Sequence, residues 1–175
     1  MSEHSVNVQS VTTQSCWIKT SLLLCNSVTM SSPIRVAREL KKFYSQDCPS
    51  VICIENHDDL SRLVFTLKCP EGTPHEGMKL CVQFVFPSDY PFVPPQVKVL
   101  TSIFHPNISQ DGHLCLEVLS SKWKTSNTIK DVLDEIQSLI VHPNLESPIN
   151  IEAATLFQED KEAYQQKVKS STTQT

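Results

Sequence analysis

An α+β fold is predicted for this chain: an N-terminal helix, a four-stranded antiparallel meander, a long loop carrying polar residues, then two or more helices packed on one face of the sheet. Three observations predict it. A helical apolar period opens at Pro33, four β-rich runs follow with short turn-rich links, and helical periods return only after Thr128. The chain has 175 residues, room for one domain of about 140 to 150 residues plus tails, a size that can bury most of its apolar surface in a single core. The expected division is a flexible extension over 1–32, a catalytic core over 33–169 and a disordered tail over 170–175.

The extension is rich in Ser, Thr, Asn, Gln and Val, almost without charge, and ends at Ser-Ser-Pro before a helix signal. In the first helix Val36, Leu40, Phe43 and Tyr44 share one face while Arg35, Arg38 and Lys42 form a basic stripe on another. Strands are predicted over 51–54, 62–69, 79–86 and 96–100. In the second run Leu63, Phe65 and Leu67 alternate with Arg62, Thr66 and Lys68, as a sheet with one covered face requires. The links NHDD and PEGTPHEG are too short for a parallel crossover. In SDYPFVPPQVKV the prolines make a rigid approach to the fourth strand, and Tyr90-Pro91 is a candidate cis bond. Later, Ile129, Val132, Leu133, Ile136, Leu139 and Ile140 mark a central buried helix, with Thr128 and Asp131 as a capping box. Pro143 and Pro148 bound a loop, and Ala154, Phe157, Lys161, Tyr164 and Val168 mark one last helix before a fraying tail.

Composition narrows the chemistry. A net charge of -4 and a pI of 5.8 give no basic footprint, so proteins rather than nucleic acid are the expected partners. Seven cysteines, odd in number and without a C-x-x-C pair, argue against a disulfide framework and a structural zinc site, and for a reducing compartment. The apolar stretch CWIKTSLLLCNSV is too short and mixed to span a bilayer, so no membrane partner is expected.

Residues 102–119 show no strong helix or strand pattern, yet hold His105, Asn107, Cys115 and the turn signals Pro106 and Asp111-Gly112. Long loops of this kind inside compact domains are usually functional. A thiol is both a good nucleophile and a good leaving group, so Cys115 can take an acyl group as a thioester and pass it to an amine. A side-chain amide such as that of Asn107, brought near by the glycine turn, can donate to the developing oxyanion, worth about 3 to 4 kcal/mol. The spacing alone leaves Cys115 open between a working thiol and a buried free cysteine. A papain-like site is disfavoured, because nothing around Cys115 matches that family's cysteine signature.

Taken together, YPFVPPQVKVLTSIFHPNISQDGHLCLEVLSSKW resembles the core of the ubiquitin-conjugating enzymes. The match includes Tyr-Pro-Phe-x-Pro-Pro, His-Pro-Asn-Ile, the Asn-to-Cys distance, Cys-Leu and Trp123, and extends through RVARELKKF, the EGTPHEG turn and PNLESPINIEAA. No single tripeptide is specific, but the ordered set is. The resemblance implies that fold, and implies that Cys115 holds the C-terminus of ubiquitin or a ubiquitin-like modifier as a thioester and passes it to a substrate lysine or a ligase cysteine. Asn107 then stabilises the oxyanion, with loop ordering as the rival role. His105 is expected to be structural rather than a base, and Glu117 to keep the role of the Asp often found two past the cysteine. Arg35, Arg38 and Lys42 are expected to face the activating enzyme, and Phe92, Thr125 and Ser126 to meet RING- or HECT-type ligases. No cofactor or metal is implied, since ATP is used by the activating enzyme. The protein is expected to be a monomer in the cytoplasm or nucleus.

Departures from the pattern sort within the family. After the cysteine loop the chain reads Trp123-Lys124-Thr125-Ser126, lacking the proline that many relatives place there to stiffen a ligase-contacting loop. Ser147 stands where an acidic residue commonly precedes the proline and orients the lysine. Its hydroxyl offers no charge, so a weaker intrinsic reaction with free lysine is expected. The stretch DDLSRLVFTLKCPEG, the PINIEAA sequence and an extension with Trp17, Ile18, Leu22, Leu23 and Leu24 as anchors are similar to the Nedd-type branch, whereas the intact YPFVPP run is similar to the ubiquitin-type enzymes. A third reading keeps the fold without catalysis, as a scaffold for a partner enzyme. Met30 leaves open that the leader is a mis-assigned start.

Overall fold

The computed structural model describes residues 32–45, 50–55 and 58–172. The expected extension, except Ser32, lies outside the described residues with its apolar anchors, as do Cys16, Cys25, Cys48 and residues 173–175.

Helix α1 spans Ser32–Ser45 and buries Val36, Leu40 and Phe43, the spacing read from the sequence. Strands β1 (Val51–Glu55), β2 (Arg62–Lys68), β3 (Lys79–Val85) and β4 (Gln96–Val99) form one sheet in chain order. All neighbours are antiparallel, with β2 and β3 in unbroken register from Arg62 opposite Val85 to Lys68 opposite Lys79. This is the predicted meander.

One face of the sheet carries the core. Leu63, Phe65 and Leu67 of β2 and Leu80, Val82 and Phe84 of β3 are essentially closed to solvent. Phe65 meets Phe43 of α1 edge-on at 6.0 Å and Phe84 at 5.1 Å, the edge-to-face geometry that aromatic quadrupoles favour. Helix α2 (Ile129–Val141) joins the same cluster through Ile129, Val132, Leu133, Ile136 and Ile140. It opens with the expected capping box: the Asp131 N–H donates to the Thr128 hydroxyl at 3.3 Å and the Thr128 N–H to the Asp131 carboxylate at 2.8 Å.

Two expectations need correction at the C-terminal end. The single last helix is two, α3 (Ile151–Glu159) and α4 (Lys161–Thr172). Asp160 leaves helical geometry at φ -144°, donates its N–H back to the Leu156 carbonyl, and accepts the Ala163 N–H on its carboxylate at 2.9 Å. One residue thus closes α3 and caps α4, which the apolar spacing across the break does not register. The helix also continues to Thr172, past residue 170, where the tail was expected to begin; the Ser170 and Ser171 hydroxyls donate back to the Lys167 and Val168 carbonyls at 2.9 and 2.8 Å. These helices form a second small cluster, in which Ala153, Tyr164 and Val168 pack with Met78 and Phe104.

Between β4 and α2 the chain turns back on itself at residues 109–112. The Gly112 N–H donates to the Ser109 carbonyl and the Val99 N–H to the Gly112 carbonyl, both at 2.9 Å. Gly112 has φ +80°, and a Cβ there would stand 1.8 Å from the Val99 carbonyl oxygen. Only glycine fits. Gly112→Ala is expected to cost about 2 to 4 kcal/mol of stability in urea unfolding. A loss below about 1 kcal/mol would show that this turn yields without disturbing β4.

Candidate active site

The His105–Cys115 segment folds as a small hairpin. Ile108 is bridged to both His105 and Leu114, and the Ser109 N–H donates to the His113 carbonyl at 2.9 Å. Continuing the antiparallel Ile108–Leu114 register by one step sets Asn107 opposite Cys115. The loop is held down by Ile108 and Leu116, both buried in the core, while Cys115, next to Leu116 in the chain, is exposed. The contrast with Cys69 is instructive: that thiol is buried, and burial pushes it up to about 11, where it is inert. After Cys115 a short 3-10 turn, Glu117–Leu119, gives shape to a stretch that carried no pattern in the sequence.

The Asn107 side chain closes on the next loop. Its Oδ1 accepts the Asn144 N–H at 2.9 Å and its Nδ2 donates to the Asn144 carbonyl at 2.6 Å. The adjoining Pro106 carbonyl accepts the N–H groups of Ile149 and Asn150 at 2.8 and 2.9 Å. Four hydrogen bonds therefore fasten the α2–α3 connection to the His-Pro-Asn segment. Asn107 is buried, so a lost partner here would leave a polar group stranded, at a cost of about 1 to 3 kcal/mol. An amide nitrogen has two hydrogens, and the clasp to Asn144 uses one.

His105 is closed off from solvent. Its Nδ1 accepts the Asn107 N–H at 3.1 Å, which places its own proton on Nε2. Burial, then the neighbouring His75 ring, push its pKa down to about 3, against a weaker pull from the Leu139 carbonyl.

Ser147 is exposed on the clasped α2–α3 connection, three residues past the Asn144 anchor and two before the Ile149 anchor. Glu117 is exposed and forms an ion pair with Lys122, also exposed. Neither partner is buried, so the pair is worth little to stability.

The basic stripe of α1 is divided. Arg38 and Lys42 are exposed, but Arg35 turns inward, with only 21 % of its side chain accessible. It donates to Glu39 and reaches the Thr125 and Asn127 carbonyls at 3.5 and 3.3 Å. The expectation that Arg35 faces a partner is thereby corrected: a partly desolvated guanidinium takes the nearest carboxylate and carbonyls. Phe92 is 74 % exposed on the cis Tyr90-Pro91 turn, with Val93 exposed beside it. Behind it the Trp123 indole N–H donates to the Pro91 carbonyl at 2.8 Å, and the Tyr90 hydroxyl donates to Glu39 at 2.8 Å. Thr125 and Ser126 are exposed on the neighbouring loop.

Sequence reasoning missed Glu39, His75 and Asn144, and it placed Tyr164 on the last helix without the partner of its hydroxyl. Each is defined by a contact across more than 25 positions or by burial that no local period encodes, and Asn144 acts through its backbone, which carries no side-chain signal.

Comparison with known proteins agrees with this geometry. The family model described as ubiquitin-conjugating enzyme matches residues 35–172. Ubiquitin-conjugating enzyme E2 S-B of Xenopus laevis is 37 % identical over 130 residues, covering 74 % of this chain and 62 % of that protein. This chain therefore spans less than two thirds of that relative's length. Ubiquitin-conjugating enzyme E2 2 of Kluyveromyces lactis is 36 % identical over 142 residues, covering 80 % of this chain and 87 % of that protein. Among solved structures, one from Plasmodium yoelii assigned to the ubiquitin conjugating enzymes superposes with a TM-score of 0.74 at 32 % identity, covering 81 % of this chain and 93 % of that one. With its meander, its His-Pro-Asn hairpin and these matches, the chain belongs to the ubiquitin-conjugating enzyme family.

Proposed function

We propose that this chain accepts the C-terminus of ubiquitin as a thioester on Cys115 and transfers it to a substrate lysine or a ligase cysteine. The observation that carries the reading is the exposed Cys115 thiol, opposite Asn107 on a loop whose apolar residues are buried. In the loading step the Cys115 sulfur attacks the thioester carbonyl on the activating enzyme, and that enzyme's thiol leaves. In the transfer step the lysine amine attacks, a tetrahedral oxyanion forms, and the carbon–sulfur bond breaks with Cys115 as leaving group. The Asn107 N–H not used in the clasp is the donor assigned to that oxyanion.

The partners that follow are the activating enzyme at Arg38 and Lys42, ligases at Phe92, Thr125 and Ser126, and the modified substrates, in a reducing compartment such as the cytoplasm or nucleus. Ubiquitin is favoured by the names of the relatives. The Nedd-type modifier is the second reading, favoured by the apolar Trp17, Ile18 and Leu22 to Leu24 of the extension.

A non-reducing gel after incubation with ATP and either activating system is expected to show a thiol-sensitive adduct with ubiquitin, absent in Cys115→Ala. An adduct with the Nedd-type modifier alone would reassign the modifier, and no adduct from folded protein would favour a non-catalytic scaffold. Asn107→Asp keeps an acceptor for the Asn144 N–H but loses both donors. It is expected to slow lysine discharge roughly 100-fold while sparing loading. An equal loss in both steps would leave Asn107 with loop ordering alone. Ser147→Asp restores a charge that favours the lysine's approach, and is expected to raise single-turnover lysine discharge roughly three- to tenfold. An unchanged rate would sink that role for Ser147.

A further inference from the structure

The turn between β2 and β3 carries a histidine that the proposed chemistry leaves unused. His75 is 1 % exposed. Its Nε2 lies 3.0 Å from the Phe104 carbonyl, which accepts its proton, and the same carbonyl accepts the Tyr164 hydroxyl of α4 at 3.2 Å. Both lone pairs of that oxygen are used. The carbonyl belongs to the peptide plane joining Phe104 to His105, so two donors from distant parts of the chain hold the plane from which the active-site hairpin begins. The grip continues inward: His105 takes the Asn107 N–H, and Asn107 holds Asn144. The hairpin is thus fastened at one side by the α2–α3 connection and at the other by the β2–β3 turn and the last helix.

We propose that His75, with Tyr164, is a positioning residue for acyl transfer: it fixes the Phe104–His105 peptide, and through it the loop presenting Asn107 and Cys115, as long as its ring carries a single proton. The inference rests on the acyl-transfer reading above. A second proton would sit on Nδ1, which is buried with no hydrogen-bond partner. The groups facing the ring are His105, 5.6 Å away and itself buried, and Tyr164 of α4 at 6.1 Å, with Lys167 of α4 lying across the Phe104 ring. None of these is an anion that would welcome the charge. Glu76, next in the chain, accepts the Gly72 N–H instead.

Burial holds the His75 pKa below the usual histidine range, opposed by the Phe104 carbonyl. The sign follows from linkage. A folded pKa below the unfolded one means the neutral ring stabilises the fold fully above about pH 6.5, and this contribution fades as pH falls. Acid should therefore loosen the hairpin at this turn.

The test loads wild type, His75→Phe, His75→Tyr and Tyr164→Phe with the modifier at pH 7.5, then follows single-turnover discharge to free lysine between pH 6 and 8.5, with melting temperatures in parallel. His75→Phe, which loses the donor, is expected to discharge roughly tenfold more slowly at pH 7.5. His75→Tyr supplies a hydroxyl donor that does not titrate in this range and is expected to regain most of the rate. The wild-type melting temperature less that of His75→Tyr is expected to shrink below about pH 6.5, where the unfolded imidazole begins to charge and the folded ring does not. Tyr164→Phe, nearly isosteric, is expected to lose roughly threefold, and it carries the test if the His75 variants do not fold. Wild-type discharge in both His75→Phe and Tyr164→Phe would overturn the positioning role, and a melting-temperature difference unchanged down to pH 6 would overturn the dependence on a neutral ring. Failure of the wild type to load at all would instead overturn the acyl-transfer reading, and this inference with it.

Discussion

The candidate site depends first on one side-chain amide, that of Asn107, closed on the backbone of Asn144. A buried amide must satisfy both its oxygen and its nitrogen, and here a single residue of a neighbouring loop satisfies both. Because the partners are backbone atoms, the bond pair fixes the path of the chain rather than the identity of a residue. Ser147 is carried into place by that path, and the Pro106 carbonyl secures the far side of the same connection. Cys115 lies opposite Asn107 in the hairpin register, so thiol, amide and the connection carrying Ser147 share one frame. Such a frame leaves little freedom for the reacting groups, which is how a site gains rate without a strong base.

A second polar group, with its side chain largely closed off, ties α1 to the Tyr90 turn and to α2. The Glu39 carboxylate accepts from Arg35, from the Tyr90 hydroxyl and from the Ile129 N–H at the start of α2. The three donors occupy both oxygens of the carboxylate, and one of them, the Ile129 N–H, is the positive end of α2. The consequence reaches the surface. Tyr90 and the Trp123 bond to Pro91 brace the turn that exposes Phe92, while Arg35 holds the carbonyls beside Thr125 and Ser126. The proline missing from Trp123-Lys124-Thr125-Ser126 is thus offset by hydrogen bonds from α1.

Much of this was legible locally. Period-two alternation in 79–85 and the period near 3.6 in 129–140 each follow from a single buried face, and the Thr128–Asp131 box is spelled within four residues. Strand β2, expected to alternate, is instead closed on both faces because Val64 and Thr66 are buried too. Cys115, Asn107 and His105 stood out as chemically able residues in a loop without a helix or strand period. The break at Asp160 was not legible, because Phe157, Lys161 and Tyr164 keep helical spacing across it and the cap is a matter of one side chain's direction. Arg35 was misread for a related reason. Its place in the basic stripe is a fact of spacing, but its inward turn is decided by Glu39 and by two carbonyls about ninety positions away.

The sequence by itself therefore determined the four strands, the helices at either side of them, the antiparallel meander and which loop residues carry reactive side chains, since these rest on periodicity, short links and side-chain chemistry. Tertiary structure decided which polar groups would meet: Asn107 with Asn144, Glu39 with Tyr90 and Ile129, and His75 and Tyr164 on the Phe104 carbonyl. The physical reason is that apolar burial is non-directional and leaves a repeating mark along the chain. A buried hydrogen bond is directional, joins distant positions once, and leaves no period to read.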